Sequence, residues 1–190
     1  MLRLFALVFL CSLIPACMKA PDPGVGLRQT ETQSSEPEQP APAARPEVAF
    51  PAPEAWTETE TALDFQLGRW ELPGGGVATI SWLGSSKENI AINLDRWLGQ
   101  WQNEDGTPAQ DGRIEPDDEG NLPFTFVRVA GTLTETRQVG GGEARKDWVL
   151  LGAIVTAPQG PLYVKAVGPN AELGEQTEAF RAAVRAMQVK

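Results

Sequence analysis

Histidine is absent from this chain, and cysteine occurs only twice, at Cys11 and Cys17. Without histidine there can be no Ser-His-Asp or Cys-His catalytic arrangement and no histidine ligand for a metal, and the commonest general base at neutral pH is missing. The glycine triplet at 74–76 lacks the following Lys and Ser/Thr of a phosphate-binding loop and leads into a strand pattern, so it indicates a hairpin turn. We therefore expect no catalytic residue, no metal site and no cofactor.

Basic residues are also scarce. The 16 Lys and Arg residues are outnumbered by 25 Asp and Glu residues, which gives a net charge of −9. Because nucleic acids and anionic lipid surfaces are held by clusters of positive charge, the sequence argues against both as partners. The acidic balance mainly favours solubility.

Residues 1–16 have the pattern of a secretory signal peptide. One basic residue precedes a largely apolar run over 4–14, which is shorter than the roughly 20 residues that a membrane-spanning helix needs. The stretch 13–17, Leu-Ile-Pro-Ala-Cys, resembles a bacterial lipobox, although Pro15 is unusual in its middle. The resemblance implies cleavage before Cys17 and attachment of lipid to its sulfur. The alternative is an ordinary signal peptide cut at the same bond.

Cys17 would be the only cysteine left after this cleavage, so it has no disulfide partner within the chain. An unpaired cysteine in an exported protein needs an explanation, and lipidation supplies one. The resemblance also implies a localisation. An inner-membrane retention signal has Asp at the position of Met18, so the outer membrane is favoured in a Gram-negative host. We expect a cell-envelope protein whose partner is the membrane, through the lipid on Cys17.

The segment 17–53 is predicted to be a disordered tether that starts at the lipidated cysteine. It shows no hydrophobic periodicity, and Gln, Ser, Thr and Glu separate its prolines. A segment of this composition cannot bury enough apolar surface to offset the entropy lost on ordering. Its prolines are Pro21, Pro23, Pro37, Pro40, Pro42, Pro46, Pro51 and Pro53.

Residues 54–190 are long enough for one globular domain, and their hydrophobic pattern predicts strands and two helices. Alternating apolar residues at 63–72, interrupted by Gly68, predict a strand with a bulge. The periodicity over 89–101 and the spacing after Asn170, a potential N-cap, predict the helices. The remaining predicted strands cover 77–83, 124–133, 148–156 and 162–167. The resulting order β-β-α-β-β-β-α predicts an α+β fold, a mainly antiparallel sheet covered by two helices.

The acidic segment 103–121 is predicted to be a loop. Its carboxylates fit a solvated surface loop, weak calcium binding through oxygen ligands, or a catalytic acid pair. The spacing does not match an EF-hand, so a solvated surface loop is favoured. Calcium binding and a catalytic acid pair stay open. Trp56 and Trp82 have two interpretations, packing at the edge of the core or exposed platforms for sugars. Lys165 is expected at the surface, extended over apolar neighbours or ion-paired.

Asn93, Arg96 and Gln100 form a polar stripe on the first helix, at spacings i, i+3 and i+7 beside Trp97. An arginine flanked by tryptophan is a frequent component of binding hot spots, so the stripe is a candidate binding surface or pocket rim. Alternatively, Arg96 only covers Trp97 and bonds to a neighbouring strand. Trp97 and Trp101 are predicted to lie in the core.

The stretches 93–101, 150–155 and 160–169, with the segment 52–56 and the turn at 72–76, resemble a group of bacterial lipoproteins whose domain is similar in layout to the PsbP/Mog1 type. The resemblance implies an antiparallel sheet between helices and carries over no catalytic residue. PsbP/Mog1-like domains act by binding partners, so we expect a membrane-tethered lipoprotein with a non-catalytic binding or assembly domain and an envelope protein as partner. A carboxylate-dependent envelope hydrolase and a structural spacer are the alternatives.

Overall fold

The computed structural model describes residues 44–87, 89–109 and 112–190, all within the unit Ala41–Lys190. The predicted signal peptide 1–16, Cys17 and the tether up to residue 43 lie outside the described residues. The described residues form ten strands and three α-helices. The strands are β1 Val48–Ala49, β2 Thr57–Thr59, β3 Gln66–Leu72, β4 Gly76–Trp82, β5 Trp101–Gln102, β6 Arg113–Asp117, β7 Phe124–Leu133, β8 Arg145–Ala157, β9 Gly160–Pro169 and β10 Gln188–Val189. The helices are α1 Asn89–Leu98, α2 Asn170–Leu173 and α3 Thr177–Ala186.

The main sheet has eight strands in the order β2-β3-β4-β9-β8-β7-β5, and β6 also pairs with β7. Every pair is antiparallel. Short hairpins make this possible: a 3-10 turn at Pro73–Gly75 joins β3 to β4, and its Gly74 has a φ of 71°, which favours glycine. The predicted bulge is confirmed by a register shift between Gln66 and Gly68.

The helices cover opposite faces of the sheet, so the α+β prediction is confirmed. Along β8, Leu150 packs in one core with Trp97 of α1, whereas Leu151 packs in the other core with Phe180 of α3. Successive residues of a strand point to opposite faces, so a strand buried on both faces is apolar throughout. This explains why β8 and its neighbour β9 read as nearly continuous apolar runs.

The first helix is shorter than predicted, because α1 ends at Leu98 and Trp101 belongs to β5. Trp101 pairs with Leu133 of β7, yet it is as buried as predicted, with 1% of its surface exposed. Trp97 is also buried. Helix and strand periods can both place a residue on the core side over so short a distance, which is why the periodicity misassigned Trp101.

The predicted C-terminal helix is broken into α2, a 3-10 turn at Gly174–Gln176, and α3. Asn170 is not its N-cap, since Pro169 takes that position and no side chain caps the helix. The Asn170 amide instead donates to Asp147 at 3.3 Å and accepts from Arg128 at 3.3 Å. The break falls at Gly174, which has a low helix propensity.

Two predicted segment boundaries are wrong. The tether was expected to reach residue 53, but Val48–Ala49 pairs with β10, and the Phe50 ring lies 5.2 Å from the Trp70 ring. Apolar residues between the prolines thus give this part of the chain something to bury. The segment 103–121 is not a loop throughout, because β6 lies within it.

Candidate functional site

A cleft of about 1230 Å³ opens on the face of the sheet that carries α1. Trp97 holds α1 over β8 and β9, and the polar residues of β3 and β4 on the same face are left to line the cleft. The floor consists of two rows of directly paired residues that cross β3, β4 and β9. One row is Arg69, Thr79 and Lys165, and the other is Gln66, Ser81 and Tyr163.

The three predicted binding-surface residues all line the wall of this cleft. Asn93 is buried, with 6% exposed, and its amide donates a 2.7 Å hydrogen bond to the Asn89 carbonyl. Its side-chain oxygen accepts a 2.7 Å hydrogen bond from Arg96. Arg96 therefore does not bond to a neighbouring strand, as the structural alternative had it. Its guanidinium is held at the cleft by the helix itself.

Lys165 is the residue that the sequence analysis placed wrongly. It lies in the floor with 8% of its surface exposed, its Nζ donates a 2.7 Å hydrogen bond to Gln100 Oε1, and it lies 5.9 Å from the centre of the Trp97 ring. Burial, reinforced by the charge of Arg96 and opposed by Glu135, lowers the pKa of Lys165 to about 7. The sequence pattern could have indicated this burial, because a single lysine within a strand that is otherwise apolar on both faces cannot reach solvent easily.

Tyr163 stands next to Lys165 in the floor and is almost completely buried. Its ring meets the Trp97 ring edge to face, with centres 6.2 Å apart. The hydroxyl makes no well-formed hydrogen bond to the described residues. Burial raises the pKa of Tyr163, while nearby Asn93 and Arg96 act in the opposite direction. Tyr163 is thus a neutral phenol in the floor whose hydroxyl oxygen is itself buried.

The segment 134–140 closes another side of the cleft and brings the one carboxylate that lines it among the described residues, Glu135. Glu135 accepts hydrogen bonds of 2.9 and 3.1 Å from Arg137, which hold the pKa of this carboxyl below its ordinary value. The segment is attached to the turn after α1, since Thr134 donates through its backbone amide to the Gln100 carbonyl at 2.9 Å. Glu135 is therefore an ionised, paired acid.

The outer end of the cleft is apolar. Leu63, Phe65 and Leu83 line it and expose 50%, 43% and 38% of their surfaces. The sequence pattern placed Leu63 and Phe65 on the inner face of a strand, but both precede β3. They pack on no core and form a rim beyond the row that contains Ser81.

The acidic segment 103–121 contributes no described residue to this cleft. Its Asp117 is buried and accepts 2.7 Å hydrogen bonds from both Arg181 and Arg185 on α3, which lower the pKa of Asp117 to about 2 although burial opposes the shift. Such a group stays ionised and fastens β6 to α3. Among the described residues, no cluster of three or more acidic side chains could hold a metal ion.

The two tryptophans considered as sugar platforms pack at the edge of the core instead. Trp56 is buried, and its indole nitrogen donates a 2.7 Å hydrogen bond to Gln176 Oε1. Trp82 is half-buried and donates to the Gln159 carbonyl at 3.2 Å. Neither residue lines the cleft.

No protein-family model matches the chain, and no curated protein is significantly similar to it in sequence. The helices within the described ranges are all too short or too polar to cross a membrane.

Proposed function

We propose that this protein is a cell-envelope lipoprotein, anchored by lipid on Cys17, whose domain binds a partner or ligand through the cleft without catalysing a reaction. One observation carries the proposal. Asn93 and Arg96 of α1, together with Gln100 in the turn that follows it, converge with Lys165 and the other polar residues of the floor on a single cleft. Polar groups that converge in a concave site are the usual mark of a binding site.

The arrangement of the carboxyl groups favours binding over carboxylate-dependent hydrolysis. A glycosidase-type mechanism requires two carboxyl groups at a defined separation. Glu135 is the single acid that lines the cleft within the described part of the chain, and it is paired with Arg137. Asp117 and Glu115 lie together elsewhere, but both are bound to Arg181.

The layout of the domain supports a finer proposal, that it is of the PsbP/Mog1 type. An antiparallel sheet lies between α1 on one face and α3 on the other. Domains of this type act by binding partners, and we propose the same for this one. Fold alone does not fix function, so the cleft carries the argument.

The proposal is tested by replacing one wall residue and one matched surface residue. Arg96→Ala should retain the wild-type melting temperature but lose the partner in pull-downs from detergent-solubilised envelope, because Arg96 braces no neighbouring strand. Arg113→Ala, at an exposed position of β6 outside the cleft, serves as the control and should keep the partner. Equal retention by Arg96→Ala and wild type would contradict the proposal, as would a loss that occurs only together with unfolding.

A further inference from the structure

The Lys165 ammonium has more hydrogen-bond donors than its surroundings accept. A lysine ammonium carries three donors, and Nζ uses one on Gln100. The described residues provide no other hydrogen bond to it and no carboxylate at ion-pair distance, although Lys165 is buried. Burying a charged group without partners is costly. A cation held in this way is suited to receive an anion from outside the chain.

Two further cations face the same space without a carboxylate partner among the described residues. Arg69 follows Lys165 in the floor row, separated from it by Thr79, and Arg96 lies on the wall with a bond to Asn93. The single acid of the cleft is engaged by Arg137. The cleft thus concentrates positive charge within a chain whose net charge is −9. Clefts lined by one sign of charge attract ligands of the opposite sign.

The apolar rim lies at a fixed distance from these cations. Thr79, between the two cations of the floor row, and Leu83 are four residues apart on one extended segment, which spans roughly 13 Å at about 3.3 Å per residue. The row of Gln66, Ser81 and Tyr163 lies between them and is neutral and polar. The cleft is therefore cationic at its inner end, neutral and polar in the middle, and apolar at its outer end.

We propose that this cleft binds a small amphipathic anion, with a carboxylate or phosphate group among Lys165, Arg69 and Arg96 and an apolar body along Leu63, Phe65 and Leu83. The inference rests on the proposed function of the cleft as the binding site and names the class of ligand. A free organic anion and an anionic lipid share this chemistry, and the experiment separates the two sources.

Anion binding at this position must be coupled to protonation. The pKa of Lys165 is about 7 because of burial and Arg96, and a bound anion raises it. The titratable and charged groups that face Lys165 are Arg96 on α1, Glu135 and Arg137 on the segment 134–140, Tyr163 on β9 and Arg69 on β3. Of these, Lys165 is the group that titrates near neutrality. Binding should therefore take up a proton above pH 7 and weaken as the pH rises.

The test is isothermal titration calorimetry on the full chain in phosphatidylcholine nanodiscs. The anionic probes are biphenyl-4-carboxylate and biphenyl-4-yl phosphate. Biphenyl-4-carboxamide is the neutral counterpart of the carboxylate. A chain that does not enter nanodiscs is titrated in buffer, so failure of anchoring leaves this test intact. Lys165→Met keeps the volume, removes the charge and should not destabilise the fold. Lys165→Arg restores the charge, and Arg113→Gln is the surface control.

At least one of the two anions should bind about tenfold more tightly than the amide, since charge-assisted hydrogen bonds are the strong ones. Lys165→Met should remove that preference, Lys165→Arg should recover much of it, and Arg113→Gln should leave it unchanged. At pH 8, buffers of different ionisation enthalpy should report proton uptake in the wild type and none in Lys165→Met. Equal binding of anions and amide, or a preference that survives Lys165→Met, overturns the proposal.

The source of the anion is decided by repeating the titration in nanodiscs that contain phosphatidylglycerol. Competition with the probe identifies an anionic lipid as the ligand, and undiminished probe binding identifies a free anion. If both anions fail to bind while Arg96→Ala still loses its envelope partner, the ligand class is wrong and the binding function stands. If the anions bind but Arg96→Ala keeps its partner, the cleft is an anion site separate from the partner surface.

Discussion

Trp97 packs directly on Gly152 of β8, so closely that a Cβ on that glycine would lie 2.6 Å from the indole ring. This contact sets the height of α1 above the sheet and hence the position of the wall that carries Arg96 and Gln100. Trp97 is 2% exposed. Gly152 therefore contributes to the shape of the cleft, because the lack of a side chain at this position lets Trp97 approach the sheet.

Replacing Trp97 with Ala should leave the domain marginal or unfolded. Truncating a buried tryptophan typically costs about 3–5 kcal/mol, against a total of about 5–15 kcal/mol for a domain. Trp148→Ala, at a half-buried position, is the matched control and should cost less. Chemical denaturation followed by circular dichroism measures both, and a Trp97→Ala domain as stable as wild type would show that α1 does not depend on this contact.

Gly152→Ala should lower stability from the other side of the same contact. The added methyl group has to displace the Trp97 ring, and overpacking of this kind typically costs about 1–3 kcal/mol. Pairing it with Trp97→Leu, which makes room, should cost less than the sum of the two single changes. Strict additivity of the two changes would contradict the contact as the cause.

Cys17→Ala should release the protein from the membrane fraction. The motivation is the lipobox-like stretch at 13–17, because cleavage before Cys17 would leave it as the sole cysteine of the chain. Cell fractionation and immunoblotting measure the distribution, and Ser12→Ala provides a control substitution before the lipobox-like stretch. Retention of Cys17→Ala in the membrane pellet would place the anchor elsewhere.

Two deletions should show which part of the N-terminal segment contributes to the stability of the domain. Removal of residues 18–43 should leave the melting temperature within a few degrees of wild type, because a proline-rich segment of this composition has little to bury. Removal of residues 18–50 should lower it clearly, since it also deletes β1 and the Phe50 ring beside Trp70. Equal melting temperatures for the two deletions would show that β1 contributes nothing to stability.

The stability of the domain without ligand should rise with pH because of Lys165. Its pKa in the folded state is about 7, below the ordinary 10.5, so between these values the unfolded chain binds more protons than the folded one. The free energy of unfolding must then increase from pH 7 towards 10, by up to about 1.4 kcal/mol per pH unit from this group. Denaturation of wild type and Lys165→Met across this range should show the slope only in the wild type.

Much of the secondary structure can be predicted from residues that are close together in the chain. Alternation in β3, the glycine turn after Leu72, the helical period of α1 and the apolar runs of β8 and β9 each depend on residues close in the chain. Backbone preferences and burial patterns act over these short distances, which is why they can be read without a structure. The strand at Trp101 was not predicted because helix and strand periods both place this residue on the core side, and the break at Gly174 because the apolar spacing continues past a residue of low helix propensity.

The polar stripe of Asn93, Arg96 and Gln100 was predictable from α-helical spacing, and all three residues line the cleft, although Gln100 lies in the turn after α1 and not on the helix. Their partners were not predictable. The β3–β4 hairpin places Arg69 beside Thr79, but Lys165 joins them only because β4 pairs with β9, which is distant in the sequence. No local preference encodes that pairing, because it follows from how the whole sheet buries both of its faces. The sequence by itself therefore determined the longer strands, the first helix and one wall of the cleft, whereas the tertiary structure alone decided that a buried lysine, two arginines and an apolar rim face the same space.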